Sequence, residues 1–304
     1  MRHYIKNFLG AVFIPIVFCL PANGQPVHDP EERLFQYGAR AGSLAGAYVS
    51  EIHDISAMYW NPSSISHVQR KSIVWNYQQG WAGKTKTEML AFPITSGYTT
   101  SIALGVNAAQ LLISDKAGNN RMAALYGVDC AVSFKLAPTF SAGILGSVKT
   151  HSIKTQSEWS ASSAVGVLYA PSPEISYGMA FSGIGGTISY VTKDDSLFLA
   201  HGVLPKKLHL GLTMRFPSSR SERIFSIILS NDKTFGQTGI RYNGGFELSL
   251  NEFFDVRTGY VVSPTYAGAK YGIGARTSSI QFDYAISPST STNRFHEFTF
   301  SILL

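Results

Sequence analysis

Two glycine-rich runs could bind phosphate, but neither has the full spacing of a nucleotide-binding loop. Gly83-Lys84-Thr85 matches the end of a phosphate loop, which needs a glycine five residues before Gly83, where this chain has Gln78. That loop also leads into a helix, whereas residues 87–92 alternate like a strand. Gly183-Ile184-Gly185-Gly186 lacks the third glycine of a dinucleotide-binding fingerprint. We expect both runs to be loops.

Histidine and cysteine usage indicates neither a metal site nor a redox pair. The eight histidines show no His-Glu-x-x-His or comparable metal-ligand spacing. Cys19 lies in the signal peptide that we expect, so the mature chain would keep Cys130 alone and could form no intrachain disulfide. We therefore expect no metal and no cofactor.

His209 is the residue that comes nearest to a catalytic candidate. A serine hydrolase needs a serine, a histidine and an acid that meet in space, whatever their order in the chain. No Gly-x-Ser-x-Gly nucleophile elbow accompanies His209, and a position between Lys207 and Thr213 is typical of a solvated polar wall. The sequence predicts no enzyme activity. A catalytic role would require a serine, a histidine and an acid converging in one cluster.

The charge balance argues against nucleic-acid binding. The chain has 25 Lys and Arg and 19 Asp and Glu. Two of the basic residues, Arg2 and Lys6, lie in the expected signal peptide, which holds no acidic residue. The mature chain would therefore have 23 basic and 19 acidic residues and a net charge of +4. Nucleic-acid binding usually requires a clustered basic face. Here the excess is scattered, and the nearest cluster, Arg220 and Arg223, lies in a serine-rich turn.

Residues 1–24 are typical of a secretory signal peptide. Arg2 and Lys6 supply positive charge, residues 8–20 form an apolar run, and Ala22-Asn23-Gly24 offers small residues for cleavage. The apolar run is shorter than the roughly 20 residues that a transmembrane helix needs. Mean hydropathy is nevertheless slightly positive, at +0.05. Since a membrane protein without spanning helices must close its sheet, this balance favours a β-barrel.

Strict alternation of apolar and polar residues supports that class. Within Lys207–Phe216, one face is apolar (Leu208, Leu210, Leu212, Met214, Phe216) and the other is mostly polar. Residues 240–250, 140–148 and 280–286 repeat the pattern. Most runs are about 9 to 11 residues long, the length of a tilted transmembrane strand, whereas strands of soluble sandwiches are usually about 5 to 6 residues long.

Fourteen segments carry the strand pattern, so the sequence predicts an all-β fold, a transmembrane antiparallel β-barrel of about 14 strands. Besides the four above and the C-terminal strand, the candidates are 71–78, 86–94, 99–107, 122–136, 161–170, 174–184, 222–230, 253–263 and 269–276, with a weaker one at 196–201 that we leave out. Alternation predicts that Lys207, His209, Arg215, Arg241, Glu247 and Asp283 face the lumen, together with Lys149.

The chain ends on an alternating strand. Its apolar face comprises Phe298, Phe300, Ile302 and Leu304. This strand resembles the C-terminal assembly signal of outer-membrane barrels, except that the last residue of that signal is usually aromatic. The resemblance implies recognition by the barrel-assembly machinery and insertion into the lipid of the bacterial outer membrane as a multi-pass barrel.

Residues 38–66 resemble the N-terminal signature of the FadL-like outer-membrane barrels, and most closely the PorV/PorQ group. In that signature a Gly-Ala-Arg-Ala run and a Gly-Ala pair precede Asp-x-Ser-Ala-x-x-x-Asn-Pro. The matching positions are Gly38, Ala39, Arg40, Ala41, Gly46, Ala47, Asp54, Ser56, Ala57, Asn61 and Pro62. Two positions depart from the pattern, because Ala45 replaces the first of two glycines and Ser63-Ser64 replaces Ala-Gly.

The resemblance implies that this stretch is a plug inside the barrel. We therefore divide the chain into a signal peptide (1–24), an N-terminal plug segment (25–68) and the barrel (69–304). Asp54 can cap a short helical turn, and Asn61 before Pro62 is disfavoured in helical geometry, so the turn should end there. Met58, Tyr59 and Trp60 need burial.

Two functions follow from the resemblance. PorV/PorQ proteins serve type IX secretion, which implies secretion components or the C-terminal domains of cargo as partners. FadL-type transporters instead pass hydrophobic ligands into the barrel and out sideways through its wall. The charged lumen predicted above favours the secretion role, although an apolar pocket could be built from Leu34, Phe35, Leu44, Met58 and Trp60. An orphan structural barrel is the third alternative.

Overall fold

The computed structural model describes residues 37–52, 54–68, 71–80, 84–114, 120–153, 156–191, 199–217, 224–264, 266–287 and 295–304. The predicted signal peptide lies outside these residues. Helix α1 (Ala39–Ser43) and two 3-10 helices, η1 (Ile55–Tyr59) and η2 (Pro62–Ser66), precede the strands. In the described residues no helix is both long enough and apolar enough to cross a membrane.

Strands β1–β7 and β10–β16 form a closed antiparallel barrel of 14 strands, as predicted. Each strand pairs with its neighbour in the chain, β7 pairs with β10, and β1 closes the barrel on β16, with Tyr77 opposite Phe298. The strands are β1 (Ser72–Gly80), β2 (Thr85–Ser96), β3 (Thr100–Ser114), β4 (Asn120–Ala137), β5 (Phe140–Ile153), β6 (Gln156–Ser172), β7 (Ile175–Ile184), β8 (Thr187–Val191), β9 (Leu199–Val203), β10 (Lys207–Pro217), β11 (Ile224–Thr234), β12 (Arg241–Ser249), β13 (Phe254–Ser263), β14 (Tyr266–Arg276), β15 (Ile280–Ser287) and β16 (Phe295–Leu303).

Strands β8 and β9 form a separate hairpin between β7 and β10. Strand β9 overlaps the weak candidate at 196–201, which we left out of the barrel, and β8 was not predicted. Both strands have five residues, too short for a clear alternation signal. Two glycines with positive φ, Gly183 and Gly185 (both +77°), turn the chain out of β7 towards this hairpin.

Strands β3–β6 are longer than predicted, with 14 to 18 residues each. An 18-residue strand tilted by 45° rises about 40 Å, more than the apolar band of about 25 Å. These four strands therefore extend beyond the membrane. On the outer face of the barrel many apolar side chains are exposed, among them Val165, Leu229 and Ile273, as expected for a wall in contact with lipid.

The plug fills the barrel and packs on a series of wall glycines. Here the plug denotes the described residues between 37 and 68, and most of its side chains are buried. A Cβ atom at Gly143 or Gly178 would lie within 2.6 Å of plug backbone atoms, and Gly166 and Gly259 are equally close to the plug. Without side chains at these positions, the plug backbone can lie directly against the wall.

Candidate functional site

Arg40 of the signature lies at the centre of a buried ionic network between plug and wall. Its guanidinium donates to Glu247 on β12 at 2.8 Å (Nε–Oε2) and 2.9 Å (Nη2–Oε1), and to Glu51 of the plug at 2.7 Å. Arg215 on β10 donates to the other Glu51 oxygen at 2.8 Å. Burial raises the pKa of the Glu51 carboxyl, but the charges of Arg215 and Arg40 outweigh it and hold the pKa at about 2.

Three of the residues predicted to face the lumen belong to this network. They are Arg215, Glu247 and Asp283. Arg257 on β13 joins the last two, with Nε 2.5 Å from Glu247 and Nη1 2.5 Å from Asp283. The charged interior is thus neutralised by pairing across the plug and along the wall. It does not by itself favour a secretion role over transport.

The remaining signature residues shape the plug. Asp54 caps η1, as predicted, because its carboxylate accepts from the backbone N–H of Ser56 at 2.8 Å and also from the Ser56 hydroxyl. Asn61 has the predicted extended backbone and caps η2, which begins at Pro62. Its amide donates to the carbonyls of Val49 (2.9 Å) and Val167 (3.0 Å), so it ties two plug segments to β6.

Gly38 and Gly46 have φ values of +100° and +80°, which few other residues adopt. The ring of Trp60 packs against Gly46, and its indole N–H donates to the carbonyl of Tyr37 at 3.1 Å. These contacts give the matched positions structural roles inside the plug.

A cavity of about 180 Å³ lies between the plug and the wall. The plug side is aromatic, with Trp60 beside Tyr37 and Tyr59, whose rings stack with centroids 3.8 Å apart. The wall side carries Lys149, Ser147, Leu145, Ser162, Ser163, Ala164, Ser182, Gly183, Leu204, Pro205, Lys207, His209, Asp232, Arg241 and Lys270. The other four residues predicted to face the lumen thus line this cavity, namely Lys149, Lys207, His209 and Arg241.

The cavity adjoins β6 at the place where the pairing of β6 with β7 ends. Consecutive residues of a strand point to opposite faces. Ser162 pairs with the buried Ser147, whereas Ser163 pairs with Gly146, whose Cβ position faces open space. Ser162, Ser163 and Ala164 all line the cavity, so it borders β6 over three consecutive residues.

The backbone ladder also stops at this point. Within the described residues, the pairing of β6 with β7 ends at Ser163–Ile184, and β8 pairs with β9 alone. Gly186 instead packs against the side chains of Ser162 and Leu204. We call this gap in the ladder, formed by Ser162, Ser163, Gly183, Gly186 and Leu204, the seam.

Ser182, His209 and Asp232 form a hydrogen-bonded chain on the cavity wall. The Oγ of Ser182 lies 3.1 Å from Nε2 of His209, and Nδ1 of His209 lies 2.7 Å from Oδ1 of Asp232. His209 was a candidate from the sequence, but its partners Ser182 and Asp232 were not predicted. In the part of the chain that the structure describes, no three His, Cys, Asp or Glu side chains are arranged to hold a metal ion.

The pocket that the sequence suggested forms only in part. Trp60 lines the cavity, but Leu44 and Met58 are fully buried in the plug core, and Leu34 and Phe35 lie outside the described residues. The seam was missed. Its one sequence signal is the glycine run at 183–186, which we interpreted as a loop.

The C-terminal strand closes the barrel as β16. Phe300 and Ile302 are exposed on its outer face, and Phe298 packs against Tyr77 and Tyr284. On the inner face, Thr299 accepts a hydrogen bond from the backbone N–H of Ala39 at 2.7 Å. The strand thus also anchors the start of α1.

Comparison with protein-family models gives no match, and comparison with curated protein sequences gives none either. Solved structures do match. The toluene transporter TodX of Pseudomonas putida aligns with a TM-score of 0.63 and 11% identity, over 88% of this chain and 96% of that chain. The monoaromatic hydrocarbon channel CymD aligns with a TM-score of 0.59 and 12% identity, over 89% and 97%.

A FadL homologue of Pseudomonas aeruginosa aligns with a TM-score of 0.59 and 13% identity, over 86% of this chain and 96% of that chain. The narrower resemblance to the PorV/PorQ group finds no support among these structures. At identities this low the likeness shows the fold alone, a closed antiparallel barrel of 14 strands.

Proposed function

We propose that the protein is a conduit of the bacterial outer membrane for small hydrophobic molecules, which enter the cavity above the plug and leave sideways through the seam. The observation that carries this proposal is that the cavity borders the seam, because Ser162, Ser163, Gly183 and Leu204 all line it. A route through the wall leads to lipid, where a hydrophobic molecule is more stable than in water.

The plug favours a sideways route. Its core side chains and the ion pairs of Arg40 with Glu247 and Glu51 are buried inside the barrel. The seam, in contrast, is held by side-chain packing and by few backbone hydrogen bonds. Opening it costs less than separating two strands that are paired along their length.

Cavity size and chemistry favour molecules with one ring. A cavity of about 150 Å³ with an apolar lining is large enough to bind benzene. The apolar part of this lining is continuous, because Tyr37 and Tyr59 pack against a core cluster that includes Leu145 and Ala164. The descriptions of TodX as a toluene transporter and of CymD as a monoaromatic hydrocarbon channel support the same substrate class.

The secretion role rests on the resemblance of residues 38–66 alone. The named neighbours are described as a channel and a transporter. Export by the N-terminal signal peptide and assembly through the C-terminal strand are common to both roles, so they do not distinguish them.

A bulky side chain in the cavity tests the proposal. Ser162→Phe places a ring in the cavity, whereas Ala161→Phe places the same ring on the exposed outer face of β6. Uptake of radiolabelled toluene by cells that produce each variant should fall strongly for Ser162→Phe and stay at the wild-type rate for Ala161→Phe. Equal uptake by both correctly assembled variants would contradict the proposal, and a loss of surface-attached cargo without any change in uptake would favour the secretion role.

A further inference from the structure

Three neighbouring strands place a serine, a histidine and an aspartate in one chain of hydrogen bonds on the cavity wall. His209 of β10 lies directly opposite Asp232 of β11 in the ladder, and Ser182 of β7 pairs with Lys207, the next residue on the same face of β10. All three line the cavity. Strand pairing therefore brings together a serine, a histidine and an acid. This is the cluster that a catalytic role requires and that no sequence motif indicated.

The hydrogen bonds also fix the tautomer that a general base needs. The Asp232 carboxylate accepts from Asn243 Nδ2 on one oxygen (2.8 Å) and lies 2.7 Å from His209 Nδ1 with the other. Because a carboxylate only accepts, the proton of His209 belongs on Nδ1, and the lone pair of Nε2 faces the Ser182 hydroxyl at 3.1 Å. His209 and Asp232 are mostly buried, with side chains 18% and 11% exposed.

We propose that Ser182, His209 and Asp232 form a hydrolytic site for small carboxylic esters of hydrophobic acids. The Ser182 hydroxyl is the nucleophile, His209 is the general base, and Asp232 orients and stabilises the imidazole. Asn243 in turn positions Asp232, and Arg241 donates to Asn243 at 2.9 Å.

In the first step, Ser182 Oγ bonds to the ester carbonyl carbon while its proton passes to His209 Nε2. The bond from that carbon to the alcohol oxygen then breaks, and the alcohol leaves with the proton from His209. A water molecule next gives one proton to His209 and bonds to the acyl carbon through its oxygen. Cleavage of the acyl–Ser182 bond releases the carboxylic acid, and the proton on His209 returns to the serine.

The cavity provides the rest of the site. Its lining includes the basic residues Lys149, Lys207, Arg241 and Lys270. Lys207 is the ladder partner of Ser182 and the nearest of these in register, so its ammonium group can stabilise the negative charge that develops on the carbonyl oxygen. The aromatic plug surface, formed by Tyr37, Tyr59 and Trp60, accommodates the hydrophobic part of the ester.

Hydrolysis of p-nitrophenyl butyrate and labelling by a fluorophosphonate test the site on the full mature chain purified in detergent. We expect hydrolysis above the detergent blank and a single label on Ser182. Ser182→Ala should abolish the label, and His209→Asn and Asp232→Asn should each lower the rate at least about 10²-fold. The matched control is Ser278→Ala, which removes an exposed serine from the turn between β14 and β15 and should leave rate and label unchanged.

Faster migration of the unheated than of the heated protein on a gel shows that a variant is folded. If Ser182→Ala fails to assemble, Asp232→Asn serves as the test variant, because it keeps the shape of the side chain. The proposal is overturned if folded wild-type protein neither hydrolyses the ester nor takes the label, if the label falls on another serine, or if Ser278→Ala lowers the rate as much as Ser182→Ala. Toluene uptake is measured on the same variants. Unchanged uptake with lost hydrolysis separates this site from the conduit, so either proposal can fail alone.

Discussion

Arg40 and Glu247 are 207 positions apart in the chain and form two parallel hydrogen bonds, 2.8 and 2.9 Å long, across the interface between plug and wall. The Arg40 side chain is 4% exposed and that of Glu247 11%. A bidentate pair fixes direction as well as distance. The Arg40–Glu247 pair sets the orientation of α1 relative to β12 and thereby positions the plug surface that borders the cavity.

Arg40→Met should lower the free energy of unfolding by about 3 kcal/mol, because it leaves buried carboxylates with fewer partners. Glu247 and Glu51 keep Arg257 and Arg215, so we expect the low end of the range for broken buried pairs. Urea-induced unfolding in lipid vesicles, followed by tryptophan fluorescence, measures the change. Arg276→Met is the control, since Arg276 is 26% exposed and 3.6 Å from Asp255, and it should cost less than about 1 kcal/mol.

The stability contributed by Glu51 should depend on pH in the acid range. Its pKa is lowered from 4.5 to about 2 in the folded protein, by Arg215 and Arg40 acting against burial. Because the pKa is lower in the folded protein, Glu51 contributes its full stabilisation above the pKa of the unfolded chain, near 4.5. This stabilisation is lost as the pH falls towards 2. The difference in unfolding free energy between wild type and Glu51→Gln should therefore be constant above pH 5 and shrink below it. A difference that stays constant down to pH 2 would contradict the role of the two arginines.

Gly143→Ala should disturb the plug, because the added Cβ atom would lie 2.6 Å from the backbone of Pro62 and Ser63. We expect a loss of about 1–3 kcal/mol from overpacking. The control lies on the same strand, since Gly146 has no atom within 4 Å of the corresponding Cβ position. Gly146→Ala should leave the unfolding midpoint nearly unchanged. If both variants behave alike, the plug does not rest on the wall in the way described.

Leu229→Arg should reduce the yield of folded barrel, because it places a charge on the exposed outer face at the middle of β11. The cost is about 2–4 kcal/mol near the bilayer midplane. Leu136→Arg puts the same charge at the end of β4, where Leu136 is 65% exposed, and should cost about 0–1 kcal/mol. Folding yields into vesicles, measured by gel migration without heating, should separate the two. Equal yields would mean that the membrane lies at a different height on the barrel.

The strand pattern could be predicted from the sequence because alternation is a local property. Each of the 14 barrel strands overlaps a candidate segment, and the polar face of Lys207–Phe216 lies towards the plug and cavity. Asp54 and Asn61 were also predictable, since a cap bonds to a neighbour two residues away.

The site could not be predicted in the same way. Ser182 and Asp232 lie 27 and 23 residues from His209, and only the strand register makes the three adjacent. The seam depends on where pairing between β6 and β7 stops, and alternation carries no information about a missing partner. The charged lumen was misleading because Glu247 and Arg215 each have a partner in the plug, Arg40 and Glu51, which alternation along the strands does not reveal.

A reversible lock across the seam tests the central claim, passage through the wall, most directly. An ideal Cβ at Gly186 would lie 2.9 Å from the Cβ of Ser162, so the pair Ser162→Cys with Gly186→Cys can form a disulfide after a shift of under about 1 Å. Cys130, which is exposed, is replaced by alanine in all variants. The control pair, Ser147→Cys with Ser162→Cys, joins ladder partners of β5 and β6 and leaves the seam free.

We predict that oxidation of the seam pair stops toluene uptake, that reduction restores it, and that the control pair transports toluene in both states. Toluene uptake that continues at the wild-type rate with the seam disulfide fully formed would contradict the account.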